Sequence, residues 1–194
     1  VGNNGNYSIQ GNKITVPASY VTKNGGLGFA FDVIDKLDAA NNHCGIYQSF
    51  LMVDQDTVFS QIMERISFES NRQINTHKDY EEYQRRRRHF HKSFKTIHNT
   101  LPIYQKVKNN GTVQAQPGKS YQIQYIVEDT YGNTSKLAFT LQVTEGEVED
   151  EYTFYSNQKV LYPDSAFLSY DNNHYVLFPP GVLYEPTPLL LEAS

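Results

Sequence analysis

Tyr121 to Val143 reads YQIQYIVEDTYGNTSKLAFTLQV. The first half places Tyr121, Ile123, Tyr125 and Val127 on one face, and the second does the same with Leu137, Phe139, Leu141 and Val143. A side-chain period of two is that of a strand with one buried face. Between the halves lies Asp129-Thr130-Tyr131-Gly132-Asn133-Thr134, rich in residues that turn a chain. An antiparallel hairpin follows. It sets the class: all-β, an immunoglobulin-like antiparallel sandwich whose inner faces supply the core.

Working outward, the same period recurs. Leu27 to Asp35, LGFAFDVID, alternates with Leu27, Phe29, Phe31 and Val33 on one side. Ile46 to Val53, IYQSFLMV, is nearly continuous in apolar residues, as a central strand is. Asp54-Gln55-Asp56-Thr57 is a turn into Val58 to Ile66, which reads with Val58, Ile62 and Ile66 inside. Leu101 to Tyr104 and Gly111 to Gln116 are shorter strand-like pieces, and Lys13 to Val16 is a leading one.

One long segment breaks the pattern, Ser70 to Phe94, SNRQINTHKDYEEYQRRRRHFHKSF. Thr76 with Asp79 three residues on fits a capping box in its acidic form. Glu81 precedes Arg85 by four, and Glu82 precedes Arg86 by four, the favourable order for helix surface pairs. A short helical insertion from about Lys78 to about Arg87 is therefore expected. Tyr80 and Tyr83 share a face of it, and Tyr80 is expected to anchor the helix, at a cost of about 2–4 kcal/mol in Tyr80→Ala.

These readings divide the chain into a leading strand and loop (1–26), a sandwich (27–143), an acidic linker TEGEVEDE (144–151) and the start of a second β segment (152–194). Composition agrees. Of 194 residues, 15 are Tyr, 11 Phe and none Trp, a balance that suits pleated surfaces. Mean hydropathy is −0.57. No apolar run approaches the roughly 20 residues of a membrane helix, so the chain is not expected to span one. Net charge is −4, which argues against a general nucleic-acid partner. The single cysteine, Cys44, leaves no intrachain disulfide to form.

Each candidate for chemistry has a plainer explanation. His89-Phe90-His91 on a strand would turn both imidazoles one way, a spacing that can hold zinc, but a third ligand is needed, and the candidates Asp79, His77 and His98 are not fixed in reach. Asp32, Asp35 and Asp38 can offer oxygens to calcium, but without EF-hand spacing they read as solvated loop carboxylates. Arg85 to Arg88 can meet phosphate, yet four successive helical residues surround the axis and form no single face. Cys44 lacks a base placed to activate it, since His43 is its direct neighbour. No cofactor motif is present.

Three stretches together resemble one family: GFAFDVIDKLDAANNHCGIYQSFLMVD (28–54), FESNRQINTHKDYEEY (68–83) and VEDTYGNTSKLAFTLQV (127–143). They are similar to the β-sandwich region that follows the catalytic domain in Bacteroidetes relatives of the lysostaphin-type zinc metalloendopeptidases, which cleave peptidoglycan cross-bridges. The likeness is carried by Asn-x-x-Gly-Ile-Tyr, with Gly45 and Tyr47; by Arg-x-Ile-Asn-x-x-x-Asp-Tyr, with Arg72, Asn75, Asp79 and Tyr80; and by the Asp-x-x-Gly-Asn turn, with Asp129, Gly132 and Asn133. FPPGVLYE (178–185) is similar to the opening of the next β module in such proteins. The resemblance implies a non-catalytic accessory module, with a catalytic domain expected before Val1. It implies a periplasmic, cell-envelope or extracellular setting, and peptidoglycan or the adjoining catalytic domain as partner. Zinc ligands are not carried over, because His89-Phe90-His91 matches an accessory part of those proteins. The alternative is a stand-alone cell-surface sandwich that binds glycan or protein.

Overall fold

The 121–143 hairpin sits in the middle of a larger sheet in the computed structural model, which describes residues 11–23, 26–36, 43–96, 99–145, 159–161, 166–170, 175–180 and 187–189. In chain order the elements are β1 (Lys13–Val16), α1 (Ala18–Lys23), β2 (Ala30–Phe31), β3 (Asp35–Lys36), β4 (His43–Cys44), β5 (Gln48–Val53), β6 (Asp56–Ile62), α2 (Ile74–His77), α3 (Tyr80–Arg86), β7 (His91–Lys92), β8 (Tyr104–Val107), β9 (Ser120–Glu128), β10 (Thr134–Val143), β11 (Lys159–Leu161), β12 (Phe167–Tyr170), β13 (Tyr175–Phe178) and β14 (Thr187–Leu189). The fold is all-β and sandwich-like. One six-stranded sheet dominates, in the order β1-β10-β9-β5-β6-β8.

The hairpin pairs Thr134 with Glu128 and runs in register to Gln142 opposite Ser120. Its turn is built by Asp129, whose carboxylate accepts from the backbone N–H of Tyr131 at 2.8 Å, from that of Asn133 at 2.9 Å and from Asn133 Nδ2 at 2.7 Å. These bonds hold the Asp129 carboxyl below its ordinary range. Gly132 sits at φ +84°, where a side chain would be strained. A second hairpin joins β5 to β6 through Asp54 and Gln55, both at positive φ (48° and 74°), the two-residue form that matches strand twist.

β5 is central, bonded to β6 on one side and β9 on the other. The predicted interior of β6 holds at Val58, which is buried in the core, and shifts after it. Phe59, opposite Leu51, is the fully buried apolar residue, while Ile62 is half-buried and Ile66 is 36% exposed beyond the strand end. The cause is an irregular register between Leu51 and Met52, which moves the inward set by one residue. The sheet is mixed rather than purely antiparallel, because β1 lies parallel to β10 at one edge.

The second layer is irregular. Leu27 to Val33 keeps its predicted alternation, with Leu27 and Phe31 buried and Ala30 and Asp32 exposed. It forms only a bridge from Leu27 to Val113 and the two-residue β2, which pairs with β7. α1 adds Ala18 and Val21, and the 113–115 stretch adds Val113 and Ala115. These pack with Leu51, Phe59, Ile123, Phe139 and Leu141 as one core. Burial of such side chains contributes roughly 1.5–3 kcal/mol each.

The helical insertion comprises α2 and α3, besides α1 elsewhere. Asp79, not Thr76, caps α3, its carboxylate accepting from Glu82 N–H at 3.1 Å. Thr76 lies inside α2 and donates to the Gln73 carbonyl at 2.7 Å. The Glu82–Arg86 pair forms at 3.5 Å. The side chains of Glu81 and Arg85 lie outside the described residues.

Of the 144–151 linker, only 144 and 145 are described. Beyond it, β11 pairs with β14 and β12 with β13, each antiparallel. The 178–185 stretch is described only through Pro180. No helix among the described residues is long and apolar enough to cross a membrane.

Candidate functional site

Thr100 N–H donates to Gln73 Oε1 at 2.6 Å and Asn99 Nδ2 to Thr76 Oγ1 at 2.7 Å, and two backbone contacts tie the insertion to the stretch entering β7: a bridge between Lys78 and His91, and a bond from Asp79 N–H to the Phe90 carbonyl at 3.0 Å. They bring His77, at the end of α2, against His91, at the start of β7. His77 Nε2 lies 3.4 Å from His91 Nδ1, and His77 Nδ1 lies 3.4 Å from the Tyr104 hydroxyl. His77 is fully buried. His91 is half-buried, stacked at 5.6 Å and 18° on Phe31, its partner across β2 and β7.

These rings belong to a longer arc. Tyr125 lies 5.1 Å from Phe31, His91 5.5 Å from His77, His77 5.9 Å from Tyr104, and Tyr104 5.7 Å from Phe59, centroid to centroid. Tyr125 and Phe59 stand on the sheet opposite Leu51 from its two neighbouring strands, so the arc starts and ends on the inner face. Edge and tilted contacts of this kind add about 0.5–1.5 kcal/mol each to area burial. The Tyr125 hydroxyl donates to Ser93 Oγ at 3.0 Å.

Burial decides the electrostatics. Desolvation, then the nearby His91, Lys78 and Lys92, push the His77 imidazole down to about 3. Desolvation, then Lys78 and His89, push His91 down to about 4. Both rings are neutral at pH 7. The Tyr104 and Tyr125 phenols are pushed up by burial.

A second polar group lies on the same inner face. Gln61 and Ser49 are cross-strand partners, and Gln61 also faces Tyr104 on β8. Both are buried, and Ser49 Oγ and both polar atoms of the Gln61 amide have no hydrogen-bond partner among the described residues.

Outside, α3 presents a different surface. Tyr80 is 55% exposed and so does not anchor the helix as expected; its ring tilts over Tyr83 at 6.4 Å. The exposed His89 ring lies 4.9 Å from Tyr83, and the Arg87 guanidinium sits 5.4 Å from the same ring. Arg87 ends α3 in the left-handed region at φ 57°, which aims it back over the helix.

The predicted site residues thus separate. His91 turns inward to His77 and His89 outward to Tyr83, so the His-x-His spacing does not converge; β7 begins only at His91. Asp32 is exposed, Asp35 belongs to β3 opposite Cys44 with its side chain outside the described residues, and Asp38 lies outside them altogether. Among the described residues no three His, Cys, Asp or Glu side chains gather around one point. Of the motif residues, Asp79 and the Asp129–Gly132–Asn133 turn make the bonds given above. Tyr47 joins two strands, donating to the Glu128 carbonyl at 2.9 Å and accepting from Met63 N–H at 2.7 Å. Gly45, Arg72 and Asn75 are exposed. His77 stood among the candidate third ligands and does meet His91, while Tyr104 and Gln61 had no local signal, since their meeting depends on segments far apart in the chain. No family model, curated protein or solved structure matches the chain.

Proposed function

We propose that this chain is a non-catalytic accessory module of a cell-wall peptidoglycan metalloendopeptidase-like protein of the cell envelope, serving as positioning unit and wall-binding surface. The observation that carries the reading is the division of labour within the insertion. Its inward side chains are occupied in clasping the sheet. Its outward ones, Tyr80, Tyr83, Arg87 and His89, form an aromatic and cationic face. Rings of this sort suit the apolar faces of sugars, and an exposed guanidinium suits the carboxylates of peptide stems. The resemblance of residues 28–54, 68–83 and 127–143 to the accessory region of those enzymes supports the same reading.

The test is co-sedimentation of the purified chain with isolated sacculi. Binding is expected, with a clear loss in Tyr80→Ala and little change in Tyr131→Ala, which alters an exposed tyrosine on the β9–β10 turn. Absence of binding at high protein concentration removes the wall-binding surface and leaves a spacer. Phe68, 97% exposed, favours the second reading, a stand-alone surface module that binds protein or glycan. The reading frame upstream of Val1 separates the two: a domain with His…Asp and His-x-His zinc patterns belongs to the first.

A further inference from the structure

We infer that the His77–His91 contact is an acid-released latch, whose protonation frees the α2–α3 segment from β7 and from Tyr104 at the edge of the six-stranded sheet. The inference is independent of the wall-binding reading.

The geometry supports it in three ways. First, the contact lies where the insertion attaches. Next to it the attachment consists of the Lys78–His91 bridge and the Asp79–Phe90 bond; the other end of α2 is held by Thr100 N–H on Gln73 Oε1 at 2.6 Å and Asn99 Nδ2 on Thr76 Oγ1 at 2.7 Å, which carry no titratable group. Second, the hydrogen bonds of the pair can take one added proton but not two. In the neutral chain, Tyr104 O–H, His77 and His91 bond head to tail in one direction or the other. One added proton leaves a donor facing an acceptor between the rings; a second sets N–H against N–H. Third, the surroundings do not welcome charge. Lys78 at the end of α2, and Lys92 and His89 from the strand side, all repel it. Tyr104 on β8 and Tyr125 on β9 remain neutral phenols, and Phe31 on β2 offers only a ring face. Asp79 follows Lys78 but turns its carboxylate to the α3 cap, and Glu82 is paired with Arg86.

The direction follows from linkage. Both imidazoles have depressed values in the closed form, about 3 and about 4, against an ordinary 6.5 once solvated. The closed form is fully favoured above pH 6.5 and loses ground as pH falls from there toward 4. At pH 5 the open population rises roughly 30-fold for one solvated imidazole and roughly 1000-fold for both.

Hydrogen exchange of the full chain, corrected for intrinsic rates, tests this between pH 7.5 and 4. Protection of the 74–92 stretch is expected to fall by those factors, while 120–143 stays protected. His91→Phe keeps a ring on Phe31 and should cut the pH response to that of one imidazole. Tyr104→Phe retains both histidines and should keep the full response. Should His91→Phe not fold, imidazole carbon shifts of the wild type decide: both rings are expected to stay neutral until the segment opens. Protection that does not change with pH overturns the latch. So does simultaneous loss in 74–92 and 120–143, or ordinary titration of both rings in a segment that remains closed.

Discussion

Arg87 holds two opposing terms on one residue. A side chain in the left-handed region costs roughly 1–2 kcal/mol, and an exposed cation over a tyrosine returns roughly 0.5–1 kcal/mol. Arg87→Ala keeps the cost and loses the ring contact, so urea unfolding should show a loss of about 0.5–1 kcal/mol. Arg87→Gly loses both and should match or exceed wild type; a glycine variant as weak as the alanine one would mean the backbone is not strained there. Tyr80→Ala, at a half-exposed position, should cost under about 1 kcal/mol rather than the 2–4 of an anchor. Gln61 is the reverse case. A buried amide without partners costs about 1–3 kcal/mol, so Gln61→Met should stabilise by about that much. Destabilisation instead would reveal an ordered water bonded to the amide.

At the level of elements, Gly111 shows how closely the layers approach. It sits at φ +81°, and a Cβ there would lie 2.5 Å from the Ser93 carbonyl oxygen and 2.7 Å from Phe94 Cα. Backbone cannot give way as a side-chain tip can. Gly111→Ala should therefore cost more than about 2 kcal/mol in denaturant unfolding and loosen β7, which precedes Ser93. A change under about 1 kcal/mol would mean the 109–111 turn moves freely. Strands were legible in the sequence where burial follows a local period, as in Leu27 to Val33, β9 and β10 from Phe139 on; Leu137, expected on the same face, is exposed nearer the turn. The β5–β6 turn was legible from its residue types. The β6 interior was legible at Val58 but not beyond it, because a register irregularity set by pairing with β5 moved Phe59 and Gln61 inward. The helix was placed within a turn, but its cap was not, since Thr76 and Asp79 are both acceptable caps and only the chain path chooses. The histidine pair was half legible. His91 stood out by spacing to His89, yet its real neighbour comes from packing 14 residues away.

For the whole molecule, β5, β9 and β10 lie inside the six-stranded sheet, and the insertion is tied at one side to the 90–104 stretch. Leu51 on the central strand is fully buried. Leu51→Ala should cost about 2–5 kcal/mol, read as a lower urea midpoint with unchanged slope. A smaller loss would mean the core can collapse around the gap. The edge strand β1 has a further consequence. It lies along β10, and the Ala18 N–H after it bonds to Thr144 Oγ1, 126 residues away in sequence. During synthesis β1 leaves the ribosome long before its partner exists. It must wait unpaired while nearly the whole sandwich is made, and it seats only once β10 has emerged. Strand β1 thus docks only after β10, and a nascent chain stalled before β10 exposes it to proteases and chaperones.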